Sequence, residues 1–273
     1  MLKAYRLPPQ LSPWLDGAVC MRMDAGQGVS RFPAMPRAML TMHLIRVEGV
    51  VWPIPQPALF HTLTTQPTTY THSENITALG LIIRPSAAAC LLGRACGAMS
   101  NQVVPWSVIA GEPEAVRLAD EVERLRTDTG CLQALMDSFV RAMHPVTLER
   151  FQQAERVCAA VGRFGAQAGD ILGLGRRQLE RRCLAVLGIS PKQLERLERF
   201  RSVLSAVVTQ DALPSAQTAL DAGYYDQSHL ALDARQLGGA SIREMQSLAA
   251  PGTPWWALST PRAIRDALDR TLF

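Results

Sequence analysis

No stretch of the chain's 273 residues comes near the roughly 20 uninterrupted apolar residues that a membrane-spanning helix requires, so no membrane partner is expected. The opening residues, MLKAYRLPPQL, lack the apolar core of a secretion signal, which points to a cytoplasmic location. CxxC spacing is missing as well. Cys20, Cys90, Cys96, Cys131, Cys158 and Cys183 are scattered, which argues for free thiols and against a disulfide framework or a zinc site. There is no HxH pair. A metal site in the N-terminal half would have to be assembled from His43, His61, His72 and Glu74, of which His72 and Glu74, two apart, share one face of a strand. That pattern is thin, and neither a metal nor a cofactor is expected. Net charge is small too, at +4, so bulk charge does not announce a polyanionic partner.

What is present is charge in one place. Arg176 to Arg201 holds eight Lys/Arg against three acidic residues, while residues 1–146 hold 12 against 11. A local basic patch on a near-neutral chain is the footprint of a nucleic-acid reader. At its centre lies LGRRQLERRCLAVLG, Leu174 to Gly188. Leu179, Cys183 and Leu187 fall at i, i+4 and i+8, one stripe of a helix, which Leu184 is expected to widen. Arg176 and Arg177 occupy the first turn, where the helix macrodipole disfavours cations. A polyanion docking at that end explains them, as in the recognition helix of a helix-turn-helix.

The remainder of the chain supplies the setting. Residues 1 to about 95 read as β-structure, cut into short pieces by Pro8, Pro9, Pro13, Pro33, Pro36, Pro53, Pro55, Pro57 and Pro67. Ala38–Val47, Ala58–Thr65, Thr68–His72 and Ile76–Ile83 are the expected strands, predicting a small sandwich or barrel able to enclose a small ligand. Helices are predicted over Ser86–Cys96, over Glu112–Arg126 with Val116, Ala119, Val122 and Leu125 as its stripe, and over Cys131–Met143. The last two either cover the β-structure or form a dimer contact. His144-Pro145 marks the end of this part. Further helices follow over Glu149–Val161, over 166–173, and from Pro191 to about Val208, the last capped by Ser190. Its buried stripe is Leu194, Leu197, Phe200, Leu204 and Val207, leaving Lys192, Arg196, Arg199 and Arg201 outside. Then come a short helix over Pro214–Ala222, a left-handed Gly223 and an Asp226 cap for Gln227–Leu237. Short helix, glycine turn and second helix with a polar first turn thus occur twice. In the tail a helix is expected from Pro261, with Trp255 and Trp256 packed on a neighbouring surface.

RRQLERR, GISPKQL and ALDAGYYDQSHL, in this order and spacing, closely resemble the AraC/XylS family of bacterial transcription regulators over roughly Thr147–Ser247. The first 145 residues resemble the variable β-rich sensor domains that such regulators carry, and LGLIIRPSAAACLLG looks like an N-terminal domain type attached to this module. The resemblance implies an α+β chain in three parts. Residues 1–145 would be a β-rich barrel or sandwich, cupin-like, with two or three helices at its end. Residues 147–249 would be an all-α double helix-turn-helix domain, and residues 250–273 a helical extension. The implied function is a sequence-specific DNA-binding transcription regulator, not an enzyme. Its N-terminal domain would sense a small-molecule effector or a regulatory protein. Double-stranded DNA is the implied partner, with RNA polymerase and a second copy of the chain as further candidates.

Carried over by position, the first recognition helix is Arg176–Leu187, with Arg177, Glu180 and Arg181 facing bases. Arginine suits guanine O6 and N7, and glutamate suits cytosine N4; alternatively Glu180 pairs with Arg176 or Arg177 and orients it. The second recognition helix is Asp226–Leu237, with Gln227, Ser228 and Ala231 at the reading positions and Gln227 suited to adenine. His229 supports the turn or a phosphate, and Arg182 and Lys192 are phosphate candidates. The chain departs from the family at Ala234, where a large aromatic is usual, and in the glycine pair of QLGGAS; both predict a loosely filled second unit. Two rival readings concern residues 1–145: a metal-dependent barrel enzyme built on the histidines above, or a module that binds only protein. A methyl-accepting cysteine is set aside, because no thiolate cluster is legible.

Overall fold

The computed structural model describes residues 2–23, 29–48, 50–71, 76–93, 99–210 and 216–248. Within them β1 (Leu2–Tyr5), β2 (Leu15–Met23), β4 (Ala38–Val47), β5 (Val50–His61), β7 (Ile76–Ile83) and β8 (Val103–Pro105) form one antiparallel sheet in the order β1-β2-β7-β4-β5-β8. β3 (Val29–Phe32) and β6 (Thr68–Thr71) pair as a separate antiparallel ribbon. Sheet and ribbon together line one cavity, so the β-part is a sandwich that is not closed into a continuous barrel.

β4 and β7 begin and end where the sequence predicts, and both are central. Their long apolar runs follow from being covered on both faces. Leu40, Met42, Leu44, Leu79, Leu81 and Ile83 join the core shared with the helices. Met39, Thr41, His43, Ala78 and Gly80 point the other way, into the cavity. The predicted Ala58–Thr65 strand is instead β5, which starts at Val50 and runs through three prolines. They are tolerated because the register with β4 breaks between Met42 and Leu44, jumping from Ala58 to Pro53. A bulge of this kind leaves residues without ladder partners, where a missing N–H costs little. β1, β2 and β3 were covered by the general reading of β-structure but not delimited by it.

α1 (Pro85–Leu92) follows the sheet, and α2 (Trp106–Ala110), α3 (Glu112–Leu125) and α4 (Asp128–Met143) come after β8. α3 packs on β5 and α4 on β7, so the paired helices cover the sheet. Of the predicted stripe α3 buries Val122 and half-buries Ala119, but Leu118 is the second buried residue, while Val116 is 57% and Leu125 45% exposed. The sheet presents a narrow ridge to α3, which one i, i+4 pair fills. At the centre Trp106 lies over Phe60 with ring centroids 6.0 Å apart, and its indole N–H donates to Ser138 Oγ at 2.9 Å.

The remaining helices are α5 (Leu148–Phe164), α6 (Ala168–Leu172), α7 (Arg176–Leu187), α8 (Pro191–Gln210), α9 (Ala216–Asp221), α10 (Gln227–Gly238) and α11 (Ile242–Leu248). They surround a second core that includes Leu179, Cys183, Leu197, Phe200, Leu204, Leu230 and Leu237. α5 belongs to both cores: Ala154 faces the first, Val157, Ala160 and Val161 the second. The helix predicted from Pro261, the residues Trp255 and Trp256, and the side chain of Val207 lie outside what is described.

Candidate nucleic-acid interface and the N-terminal cavity

Two equivalent units are built on α8. In the first, α6 ends at Gly173 (φ +64°), and the Leu174 N–H donates to the Gly169 carbonyl at 2.8 Å. In the second, α9 ends before Gly223 (φ +79°), and the Tyr224 N–H donates to the Ala219 carbonyl at 2.9 Å. Both bonds span five residues, the closing bond of a helix that ends in a left-handed residue. The helices that follow are capped by side chains. Gln178 accepts from the Gly175 N–H at 3.2 Å, and Asp226 from the His229 N–H at 2.7 Å. Between the units, Ser190 and Gln193 cap α8 reciprocally, as the Ser-Pro signal predicts.

α7 buries Leu179, Cys183 and Leu187. Leu184 does not widen this stripe; it is 41% exposed, because the helix meets its neighbours along a single ridge. Arg176, Arg177, Glu180, Arg181 and Arg182 are all exposed. Among the described residues none of these four arginines has an acidic partner, and Glu180 pairs with neither Arg176 nor Arg177. By contrast Arg22, Arg37, Arg46, Arg84, Arg141, Arg196, Arg199 and Arg201 all form ion pairs. Arg182 is turned toward α5 and lines a cleft with Arg150 and Gln153. Lys192 is exposed in the first turn of α8.

All three arginines predicted to stay outside on α8 are engaged, Arg199 with Glu195 at 2.8 Å and over the Tyr224 ring. Arg201 is buried and pairs with Glu198 at 3.0 Å, and burial, with Arg37 nearby, lowers its pKa to about 10. Arg196 reaches the buried Asp233 of α10 at 2.7 Å. Packing against the N-terminal part and against α10 decides both, which periodicity along α8 does not register.

α10 exposes Gln227, Ser228, His229 and Ala231. The His229 ring meets the edge of buried Tyr224 at 5.2 Å and so braces the turn. Ala234 is fully buried, and the space an aromatic would occupy is closed from α8 and α11. At Gly238, one turn on, a Cβ would lie 3.0 Å from Phe200 and 2.6 Å from Met245. The glycine pair is therefore not loose: Gly238 admits this close packing, and Gly239 takes the left-handed position at φ +75°. A candidate contact that sequence reasoning missed is Tyr225, 86% exposed just before the α10 cap. Its signal was the doubled tyrosine of GYYD, of which one ring is needed inside and the other is left outside.

The cavity between sheet and ribbon has a volume of about 270 Å³. Phe32, Met21, Met35 and Met39 supply much of its apolar wall. Its polar lining, which also includes His43, Gln66, Asn101 and Gln102, contains a chain: Thr41 Oγ1 lies 2.8 Å from His61 Nε2, and His61 Nδ1 lies 2.9 Å from the Tyr70 hydroxyl. Burial, and secondarily His43, pushes the His61 pKa down to about 4, so the ring is neutral. Of the supposed metal set His43 and His61 line this cavity, whereas His72 and Glu74 lie outside the described residues. No cluster with metal-ligand character occurs among the described residues. Burial also raises the thiols, Cys20 to about 11 and Cys183 to about 12, so neither is a thiolate at neutral pH.

Residues 169–247 match a family model described as a helix-turn-helix domain. No curated protein sequence matches the chain. Among solved structures, one of ToxT from Vibrio cholerae is 15% identical, covering 86% of this chain and 98% of that one with a TM-score of 0.45. A structure of ToxT from Vibrio cholerae O395 is 13% identical, covering 85% and 96%, with a TM-score of 0.45. A ToxT structure described as bound to unsaturated fatty acid is 13% identical, covering 90% and 94%, with a TM-score of 0.39. No helix of the described residues is long and apolar enough to cross a membrane.

Proposed function

We propose that residues 169–247, which match a helix-turn-helix family model, are an AraC-type DNA-binding unit, and that the chain is a sequence-specific transcription regulator whose N-terminal part senses an effector. The observation that carries the reading is α7 itself: four arginines within seven residues, exposed and without acidic partners among the described residues. A helix that keeps its cations unpaired at its N-terminal end is arranged for phosphates and base edges. Arg177, Glu180 and Arg181 read bases from the first unit, with Arg176, Arg182 and Lys192 on the backbone. Gln227, Ser228 and Ala231 serve the second unit, with Tyr225 beside them and His229 bracing the turn. The DNA-binding unit is residues 147–249.

The sensing role is supported by the cavity and by its connection to the second unit. Phe32, Pro33 and Met35 line the cavity, and between them the Ala34 N–H donates to the Leu237 carbonyl at the end of α10 at 2.6 Å. Pro67, also in the wall, would touch a side chain at Gly239. A change of shape in the cavity thus reaches the second recognition helix directly.

Selection of bound sequences from a random duplex pool at near-physiological salt tests the reading. The expected result is a motif of two blocks about one helical turn apart, roughly 34 Å. One block alone would restrict base reading to α7 and leave the second unit with backbone contacts. Weak, salt-sensitive binding with no enriched motif, unchanged by any effector, would overturn sequence-specific recognition.

A further inference from the structure

We propose that the N-terminal cavity takes an uncharged, largely apolar molecule carrying one hydrogen-bond donor, such as an alcohol, which docks on the Tyr70 phenol oxygen. This rests on the reading of the N-terminal part as a sensor and adds the chemical class that it senses. Among the described residues, the lining contains no Asp, Glu, Lys or Arg. A carboxylate or ammonium entering it would lose its hydration without gaining a counter-charge. The wall is thioether, aromatic and aliphatic, from Met21, Met35, Met39, Phe32 and Val19, a lining that adapts to an apolar body. Gly80 lies on the floor in the central strand, and a Cβ there would come within 3.2 Å of Val19 and 3.3 Å of Met39. The floor is therefore already closely packed, and the open space lies above it.

Among the polar lining groups, which also include His43, Gln66, Asn101 and Gln102, the chain that ends at Tyr70 fixes the partner needed at the phenol oxygen. Thr41 Oγ1 is within 3.5 Å of the Leu59 carbonyl, to which it donates. With the Thr41 proton on the Leu59 carbonyl, the tautomer that completes the chain has the proton on His61 Nε2, 2.8 Å away, donating to Thr41. In a neutral ring the other nitrogen is the acceptor, so Nδ1 receives the Tyr70 hydroxyl proton across 2.9 Å. The phenol has now used its single proton, and its oxygen can only accept. A ligand hydroxyl or N–H completes the chain; an ether, or a carboxylate, meets an acceptor with an acceptor.

The test uses the full chain at neutral pH with four probes of equal length: 1-octanol, 1-methoxyheptane, octanoate and octylammonium. Binding is followed by calorimetry and by the rise in melting temperature that a native-state ligand produces. We expect saturable binding of 1-octanol, with octanoate and octylammonium at least about tenfold weaker. The ether should bind about fivefold more weakly than the alcohol. In Tyr70→Phe the alcohol and the ether should become equal. Ala78→Leu, which adds bulk to the cavity wall, should abolish binding; should that variant fail to fold, Tyr70→Phe carries the test alone. Octanoate binding as tightly as 1-octanol, an ether bound as well as the alcohol, unchanged binding in folded Ala78→Leu, or no binding of 1-octanol would each overturn the proposal. A protein that selects a DNA motif but ignores 1-octanol contradicts only the ligand class. One that binds 1-octanol but enriches no DNA contradicts only the DNA reading.

Discussion

At the residue scale, His61 gives a measurable signature. Its folded pKa, about 4, lies below the ordinary 6.5 because burial disfavours the imidazolium. The unfolded chain therefore binds the proton more readily, and stability present above pH 6.5 is lost as pH falls toward 4. The loss should be on the order of 2 kcal/mol, less than the full shift implies because the ring opens onto the cavity. Melting temperatures across this window should fall more steeply for the native chain than for His61→Gln; parallel curves would remove burial as the cause. The arginines of α7 separate by role. Arg177→Ala should cost about 1 to 3 kcal/mol in binding and relax preference at one base pair. Arg182→Ala should weaken all sequences alike and lower the salt slope by about one. Titrations of matched and mismatched duplexes at several salt concentrations distinguish the two, and equal selectivity in Arg177→Ala would remove it from the reading set.

At the scale of the element, each helix-turn-helix depends on a close approach that one extra carbon prevents. A Cβ at Gly169 would lie 2.7 Å from the Leu174 carbonyl oxygen, a backbone atom that cannot step aside without moving the turn. Gly169→Ala should therefore tilt α7 and reduce binding at the first block of the DNA site while sparing the second, readable by footprinting. In the second unit Ala234 stands where a core aromatic is usual, and it is fully buried in the core that holds Phe200 and Met245. Ala234→Phe should then overpack the site and destabilise the chain by about 1 to 3 kcal/mol. A higher melting temperature in that variant would mean that a void exists at this position. The exposed side chains of α10 are fewer in charge than those of α7, so the two units read by different chemistry on the same backbone plan.

At the scale of the whole molecule, the sheet and the helical bundle are joined through α5 and through a half-buried ion cluster. Arg37 bridges Asp16 of β2, at 2.6 Å, and Glu198 of α8, at 3.1 Å, while Arg84 reaches Asp16 at 3.0 Å and Glu155 at 3.7 Å. Ser100 Oγ adds a bond to the Gly188 carbonyl at the end of α7. Such contacts hold both recognition helices in one placement relative to the cavity. Arg37→Met leaves Glu198 with Arg201 and Asp16 with Arg84 but breaks the bridge between them, at a cost of about 1 to 2 kcal/mol. Amide exchange along α8 should quicken, and DNA affinity should shift as the bundle is released. An unchanged exchange pattern would mean that α5 alone maintains the docking.

Short-range patterns along the chain were enough for the local elements and for which polar side chains of α7 and the start of α10 stand exposed. The caps at Ser190 and Asp226, the left-handed Gly223, and the stripe Leu179, Cys183, Leu187 were legible because each rests on neighbours within a turn or two. So were β4 and β7, whose apolar runs exceed anything a half-exposed strand needs. Only the tertiary structure decided which side of a helix counts as inside. Leu184, Val116 and Leu125 lie outside because the width of a buried face is set by the partner, not by the helix. Arg201 went inside because Glu198 and the N-terminal part close over it, a contact with no short-range trace. The passage of β5 through three prolines needed a bulge that the register with β4 supplies. The chain from Thr41 through His61 to Tyr70 joins three successive strands, two in the sheet and one in the ribbon, so it exists only once sheet and ribbon have met.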